Sequence, residues 1–146
     1  MSFWVLRGRG PERSWIRQLA RNEMELEYSV EVDRESGTCM IRASGMLRRP
    51  ADSFILIQAA AEVAKEHGCG RFLFDLRDTT VIGSTIGAYQ AAAEPGKFGL
   101  SRGRRIAAVY SKVTAEDRFM EDVGVNRGAT FRVFDDMDKA RDWLAQ

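Results

Sequence analysis

The sequence predicts an α/β fold: a mixed, mostly parallel sheet of about five strands with flanking helices, in the order β-β-α-β-α-β-α-β-α. Two observations carry this reading. Two segments of strict apolar–polar alternation near residues 26–43 pair as a hairpin. Beyond them, short unbroken apolar runs alternate with stretches of helical periodicity. Such runs suit strands buried on both faces, and helices between them imply parallel pairing through right-handed crossovers.

The hairpin comes first. Leu26, Tyr28, Val30 and Val32 alternate with Glu25, Glu27, Ser29, Glu31 and Asp33, giving a strand with one wet face. Arg34-Glu35-Ser36-Gly37 reads as its turn, and Thr38 to Ala43 alternates again with Cys39 and Ile41 on one side. Pro50 then opens a helix in which Phe54, Ile57, Ala61 and Ala64 recur at helical spacing. Gln58, Glu62 and Lys65 mark its solvated side, and Gly68 ends it.

Phe72-Leu73-Phe74-Asp75-Leu76 is the first central strand, followed by a polar loop from Arg77 to Thr80. A helix is expected from Ser84 to Glu94, stopped by Pro95. A glycine-rich basic loop leads to a second buried strand, Ile106 to Tyr110. Thr114 and Asp117 have the spacing of a capping box for a helix carrying Phe119, Met120 and Val123, which Gly128 stops. Phe131 and Val133 belong to the last strand, and Asp136 caps a closing helix that reaches Trp143-Leu144.

The whole chain has 146 residues, of which 45% are hydrophobic and 29% charged, so disordered and fibrous classes drop out. Its length fits one domain with an ordinary core. The 22 basic residues nearly balance the 21 acidic ones, a net charge of +1 that supplies no field for nucleic acid or a membrane surface. No apolar run approaches the roughly 20 residues of a membrane span. Cys39 and Cys69 make neither a disulfide framework nor a zinc pattern, and read as small buried hydrophobes in a reducing cytoplasm.

Residues 1–23 stand apart from the domain at 24–146. They hold Arg7, Arg9, Arg13, Arg17 and Arg21 against Glu12 and Glu23, a net of +3, which leaves −2 for the rest. Trp15, Ile16, Leu19 and Ala20 fall on one helical face. Three readings are open: a surface-seeking amphipathic helix, an arm packed on its own domain or on a second subunit of a homodimer, or an extension ahead of a start at Met24. The arm reading leads.

From residue 24 onward, this order of elements is similar to the SpoIIAA-like branch of the STAS superfamily. Gly45 and Leu47 after the second strand, Asp75-Leu76-Arg77-Asp78 after the central one, Asn126-Arg127-Gly128, and the closing Val133-Phe134-Asp135-Asp136, Ala140 and Trp143-Leu144 carry the resemblance. It implies a regulatory, protein-binding module like the anti-sigma-factor antagonists, whose phospho-acceptor serine opens the helix after the central strand and is modified by a partner kinase. Thr85 falls on that position and Ser84 precedes it, while Gly83 and Ile86 replace the acidic residue and part of the flanking pattern. Arg48 stands where the family usually has threonine.

The residues also speak for this region without the resemblance. A helix start offers free N–H groups to an anion, and open α/β sheets bind ligands beyond the carboxyl ends of their strands. Ser84 as a plain N-cap is the simpler account. Asp75, Arg77, Asp78, Thr79 and Thr80 form the candidate partner loop. The alternative function is a small apolar-ligand carrier, since the SpoIIAA-like branch resembles CRAL-TRIO lipid-binding architecture. Val81, Ile82, Ile86, Tyr89, Phe98 and Leu100 would line its pocket, with ordinary core packing as the competing account.

Catalysis has little to stand on. His67 is the only histidine, which rules out a histidine-based metal cluster, and it sits at a helix end where its charge suits the dipole. Gly96-Lys97 is followed by Phe98 instead of serine or threonine, so the loop is no phosphate loop. The expectation is a non-enzymatic protein without cofactor or metal.

Overall fold

The computed structural model describes residues 2–9 (backbone only), 25–84, 86–87, 89–90 and 103–146. Among them run β1 (Ser2–Arg9), β2 (Glu27–Asp33), β3 (Thr38–Arg48), α1 (Ala51–His67), β4 (Arg71–Ile82), β5 (Arg105–Val109), α2 (Ala115–Asn126), β6 (Thr130–Phe134) and α3 (Met137–Leu144). Positions 86, 87, 89 and 90 are helical. The strands form one sheet in chain order, β1-β2-β3-β4-β5-β6. β1–β2 and β2–β3 are antiparallel, and the remaining neighbours are parallel. The predicted order therefore holds from residue 27, with one further strand, β1, added to the hairpin edge.

The core lies mainly on one face. Leu26, Tyr28, Val30 and Val32 of the first predicted strand are all buried there, beside Cys39 and Ile41. Helix α1 covers them with Leu56, Ala59, Ala60, Val63 and Ala64, and α2 adds Met120. Of the predicted stripe of α1, Ala64 is buried, while Phe54, Ile57 and Ala61 are only partly buried. With Ile55, Leu56 and Ile57 consecutive, the periodicity leaves the phase of the helix open, and packing on the sheet settles it. Gly68 closes α1 in the left-handed region, φ 70°, its N–H donating to the Ala64 carbonyl.

The opposite face carries a smaller core, Met40, Leu73, Ala107, Val109 and Phe134, covered by α3 through Ala140 and Leu144. Arginines lock that helix down. Arg71 donates to the Leu144 carbonyl at 2.6 Å, and Arg105 donates to the Trp143 carbonyl at 2.9 Å while stacking 4.3 Å from the Trp143 ring. Cations at a helix C-terminus meet both its unpaired carbonyls and its dipole. Arg104 is likewise engaged, donating to the Cys69 carbonyl at 2.9 Å. Facing water is the expected state for arginines ahead of a buried strand; these two are half-buried and bonded instead.

Two strands run longer than their sequence predicts. β4 does not stop at Leu76 but continues to Ile82, so the predicted polar loop from Arg77 to Thr80 is strand. Beyond Asp75, where pairing with β5 ends, β4 stays paired to β3 through Ser44–Asp78 to Arg48–Ile82. This two-stranded extension has wet surfaces, which is why its composition imitates a loop. Cys39 and Cys69 are buried and free, and burial pushes both thiols above their ordinary range.

Candidate functional site

The β3–β4 extension carries two chain segments past the rest of the sheet and brings them against the start of α2. β3 ends at Arg48, and the next backbone N–H, that of Arg49, donates to the Ile82 carbonyl at 2.8 Å. Arg49 turns inward. Its Nη2 donates to Asp117 Oδ1 at 2.6 Å and to the Tyr110 hydroxyl at 2.9 Å, with the guanidinium 5.6 Å from the Tyr110 ring centre. Both charged side chains are buried, 4% and 3% exposed, so this is an ion pair removed from water.

Asp117 uses its other oxygen as well. Oδ2 accepts from the Thr114 N–H at 2.8 Å, and Thr114 Oγ1 accepts from the Asp117 N–H at 3.2 Å, closing the predicted capping box. One carboxylate thus starts α2 and neutralises Arg49. Burial works against the Arg49 charge, but the Tyr110 oxygen and the Asp117 carboxylate hold the guanidinium above its ordinary value. Burial raises the Tyr110 hydroxyl most, to about 12. The buried Arg49 Nε has no hydrogen-bond partner among the described residues. On the other side, Asp52 Oδ2 accepts from the Arg48 N–H at 2.7 Å and ties the start of α1 to the same strand end.

Against this base lies the segment after β4. Gly83 and Gly87 approach the Arg49 backbone so closely that a Cβ at 87 would stand 2.8 Å from the Arg49 carbonyl oxygen, and one at 83 would stand 3.0 Å from Arg49 Cβ. Ser84 is exposed, and its Oγ accepts from the Gly87 N–H at 3.2 Å, an N-cap bond. Thr85 lies outside the described residues. Three apolar side chains stand open around Ser84: Ile82 at 43%, Ile86 at 69% and Tyr89 at 40%. The Arg127 guanidinium lies 5.5 Å from the Tyr89 ring and donates to its hydroxyl.

The other candidate residues are spread over the fold. Asp75 sits on the sheet in a bidentate pair with Arg77, at 2.8 and 2.9 Å. Burial raises its carboxyl, but bonds from Arg77 outweigh this and hold it below its ordinary value. Asp78 and Thr80 are exposed on the extension, while Thr79 donates to the Leu76 carbonyl at 2.7 Å. Val81 packs against the main core. Phe98 and Leu100 lie outside the described residues. An apolar cavity of about 80 Å³ opens between Leu47, Leu56, Phe74, Tyr110 and Met120. Of the described candidates, Val81, Ile82, Ile86 and Tyr89, none lines it, and it is smaller than the several hundred Å³ of typical ligand sites. Among the described residues no three His, Cys, Asp or Glu side chains gather as metal ligands.

Sequence reasoning missed Arg49 and Tyr110 altogether. Arg49 reads as one of two basic residues before a proline, and Tyr110 as the end of a buried strand. Asp117 was legible as a cap but not as a counter-ion.

No family model and no curated protein matches the chain. Among solved structures it is similar to an anti-sigma factor antagonist from Mycobacterium paratuberculosis, with a TM-score of 0.54 and 18% identity, over 82% of this chain and 95% of that one. The chain has a STAS fold. Within the STAS scaffold, the Arg49 cluster and the Ser84 segment lie where two parallel strands end. No helix among the described residues is long and apolar enough to cross a membrane.

Proposed function

We propose that this chain is a non-enzymatic regulatory module that binds a protein through the edge built from Ile82, Ser84, Ile86 and Tyr89. The observation that carries the reading is the exposure of those three apolar side chains around a capped serine, 69% for Ile86. Grouped exposed apolar residues mark interaction surfaces, whereas scattered ones are ordinary. The solved neighbour is named as an antagonist of an anti-sigma factor, a protein that acts on a protein, and that partner class is the one proposed here. Two free buried cysteines fit a reducing compartment such as the cytoplasm.

Phosphorylation of Ser84 or Thr85 by a kinase-type partner is the proposed control. A phosphate brings about −1.5 to −2 charges, enough to repel an apolar partner from this edge. The test compares the proteins cross-linked to wild type with those cross-linked to an Ile86→Asp variant of equal stability. A defined partner should be lost from the variant; the same set recovered from both overturns the reading. A homodimer through residues 1–23 is the second proposed contact, and sedimentation showing a monomer at every concentration removes it.

A further inference from the structure

We infer that Arg49 is the positioning residue of the proposed docking edge: its buried pairing with Asp117 and Tyr110 fixes the strand end on which Gly83 and Gly87 are seated, and so sets where Ile82, Ser84 and Ile86 stand. The inference rests on the docking reading above and deepens it. Three independent contacts support it.

The Arg49 backbone continues the β3–β4 ladder through its bond to Ile82, so a shift of Arg49 moves the end of β4. The Arg49 carbonyl and Cβ form the surface that Gly83 and Gly87 touch; a methyl group at 87 would clash with the carbonyl oxygen at 2.8 Å, and one at 83 would be tightly pressed at 3.0 Å. The guanidinium is held from two elements at once, by Tyr110 after β5 and by Asp117 in α2. Both bonds leave from the one terminal nitrogen, Nη2, and a lysine side chain ends one atom short of that point. The docking edge is thus not a free loop; it is referenced to the capped start of α2 through one side chain. This also accounts for glycine at position 87, inside a helical stretch where it is otherwise unfavourable. Only a residue without Cβ allows the helix to lie on the Arg49 carbonyl.

The experiment is amide hydrogen exchange on the full chain, read by mass spectrometry over residues 82–90, for wild type, Arg49→Met, Arg49→Lys and Gly87→Ala. Exchange over that segment should rise by roughly tenfold or more in Arg49→Met beyond whatever rise lost global stability gives β2 and β5. Arg49→Lys should fall between. Gly87→Ala should raise exchange over 82–90 with the Arg49–Asp117 pair untouched, a local signature that general destabilisation does not produce. Unchanged exchange over 82–90 in a folded Arg49→Met protein overturns the inference, as does a rise spread evenly over the whole sheet. If Arg49→Met does not fold, the Gly87→Ala and Arg49→Lys results decide, and wild-type exchange in both overturns it. The readout needs no partner, so failure of the positioning role and failure of the docking reading (Ile86→Asp losing no protein) are seen separately.

Discussion

Arg49 and Asp117, 68 residues apart in the chain, meet at 2.6 Å with both side chains withdrawn from solvent. Removing one partner of such a pair leaves an uncompensated buried charge. Asp117→Ala is therefore expected to destabilise the protein by about 3–5 kcal/mol in urea unfolding. Arg49→Met combined with Asp117→Leu removes both charges, and should recover most of that loss. What remains should be about 1 kcal/mol for the missing cap. A double variant as unstable as Asp117→Ala contradicts the account.

The cap of α1 offers a purely conformational test. Gly68 has φ 70°, and nothing lies within 4 Å of the position its Cβ would take. Gly68→Ala should cost about 1 kcal/mol in thermal unfolding through backbone strain alone. A clash or lost contact is excluded as the source.

Asp75 predicts an acid dependence. Its carboxyl is held below the ordinary value of 3.8. A depressed folded-state value contributes stability above the unfolded one, and loses it as pH falls through the folded one. Wild type should therefore lose stability through the region below about pH 4 more steeply than Asp75→Asn. The Arg77 partner is half exposed, 47%, so solvent screening keeps the effect small. Parallel curves of stability against pH for the two proteins would count against the pair.

The closing helix depends on arginines from the sheet. Arg105→Ala removes a charged hydrogen bond to the Trp143 carbonyl and the stacking at 4.3 Å. The expected loss is about 2 kcal/mol, with faster amide exchange confined to α3. Exchange rising equally in α1 would show that the helix is not held in this way.

Much of the fold was legible because its signals are local. Alternation at Leu26 to Val32, the turn at Arg34–Gly37, the capping pair Thr114 and Asp117, Asp136 and the stop at Gly68 each depend on neighbours within a few residues. Where the reading missed, a distant partner decided. Arg77 to Thr80 look like a loop by composition, yet β3 supplies their hydrogen bonds. The stripe of α1 was ambiguous until the sheet selected Leu56, Ala60 and Val63.

The sequence by itself determined the order of elements from residue 27, the parallel character of the central strands and the helix caps, since periodicity and capping are written in short windows. Only the tertiary structure decided that β1 joins the sheet edge, that β3 and β4 extend together beyond β5, and that Arg49, Tyr110 and Asp117 form one buried cluster beneath Ser84. The physical reason is range. A buried charge finds its counter-ion wherever the fold delivers one, and no spacing along the chain records which it will be.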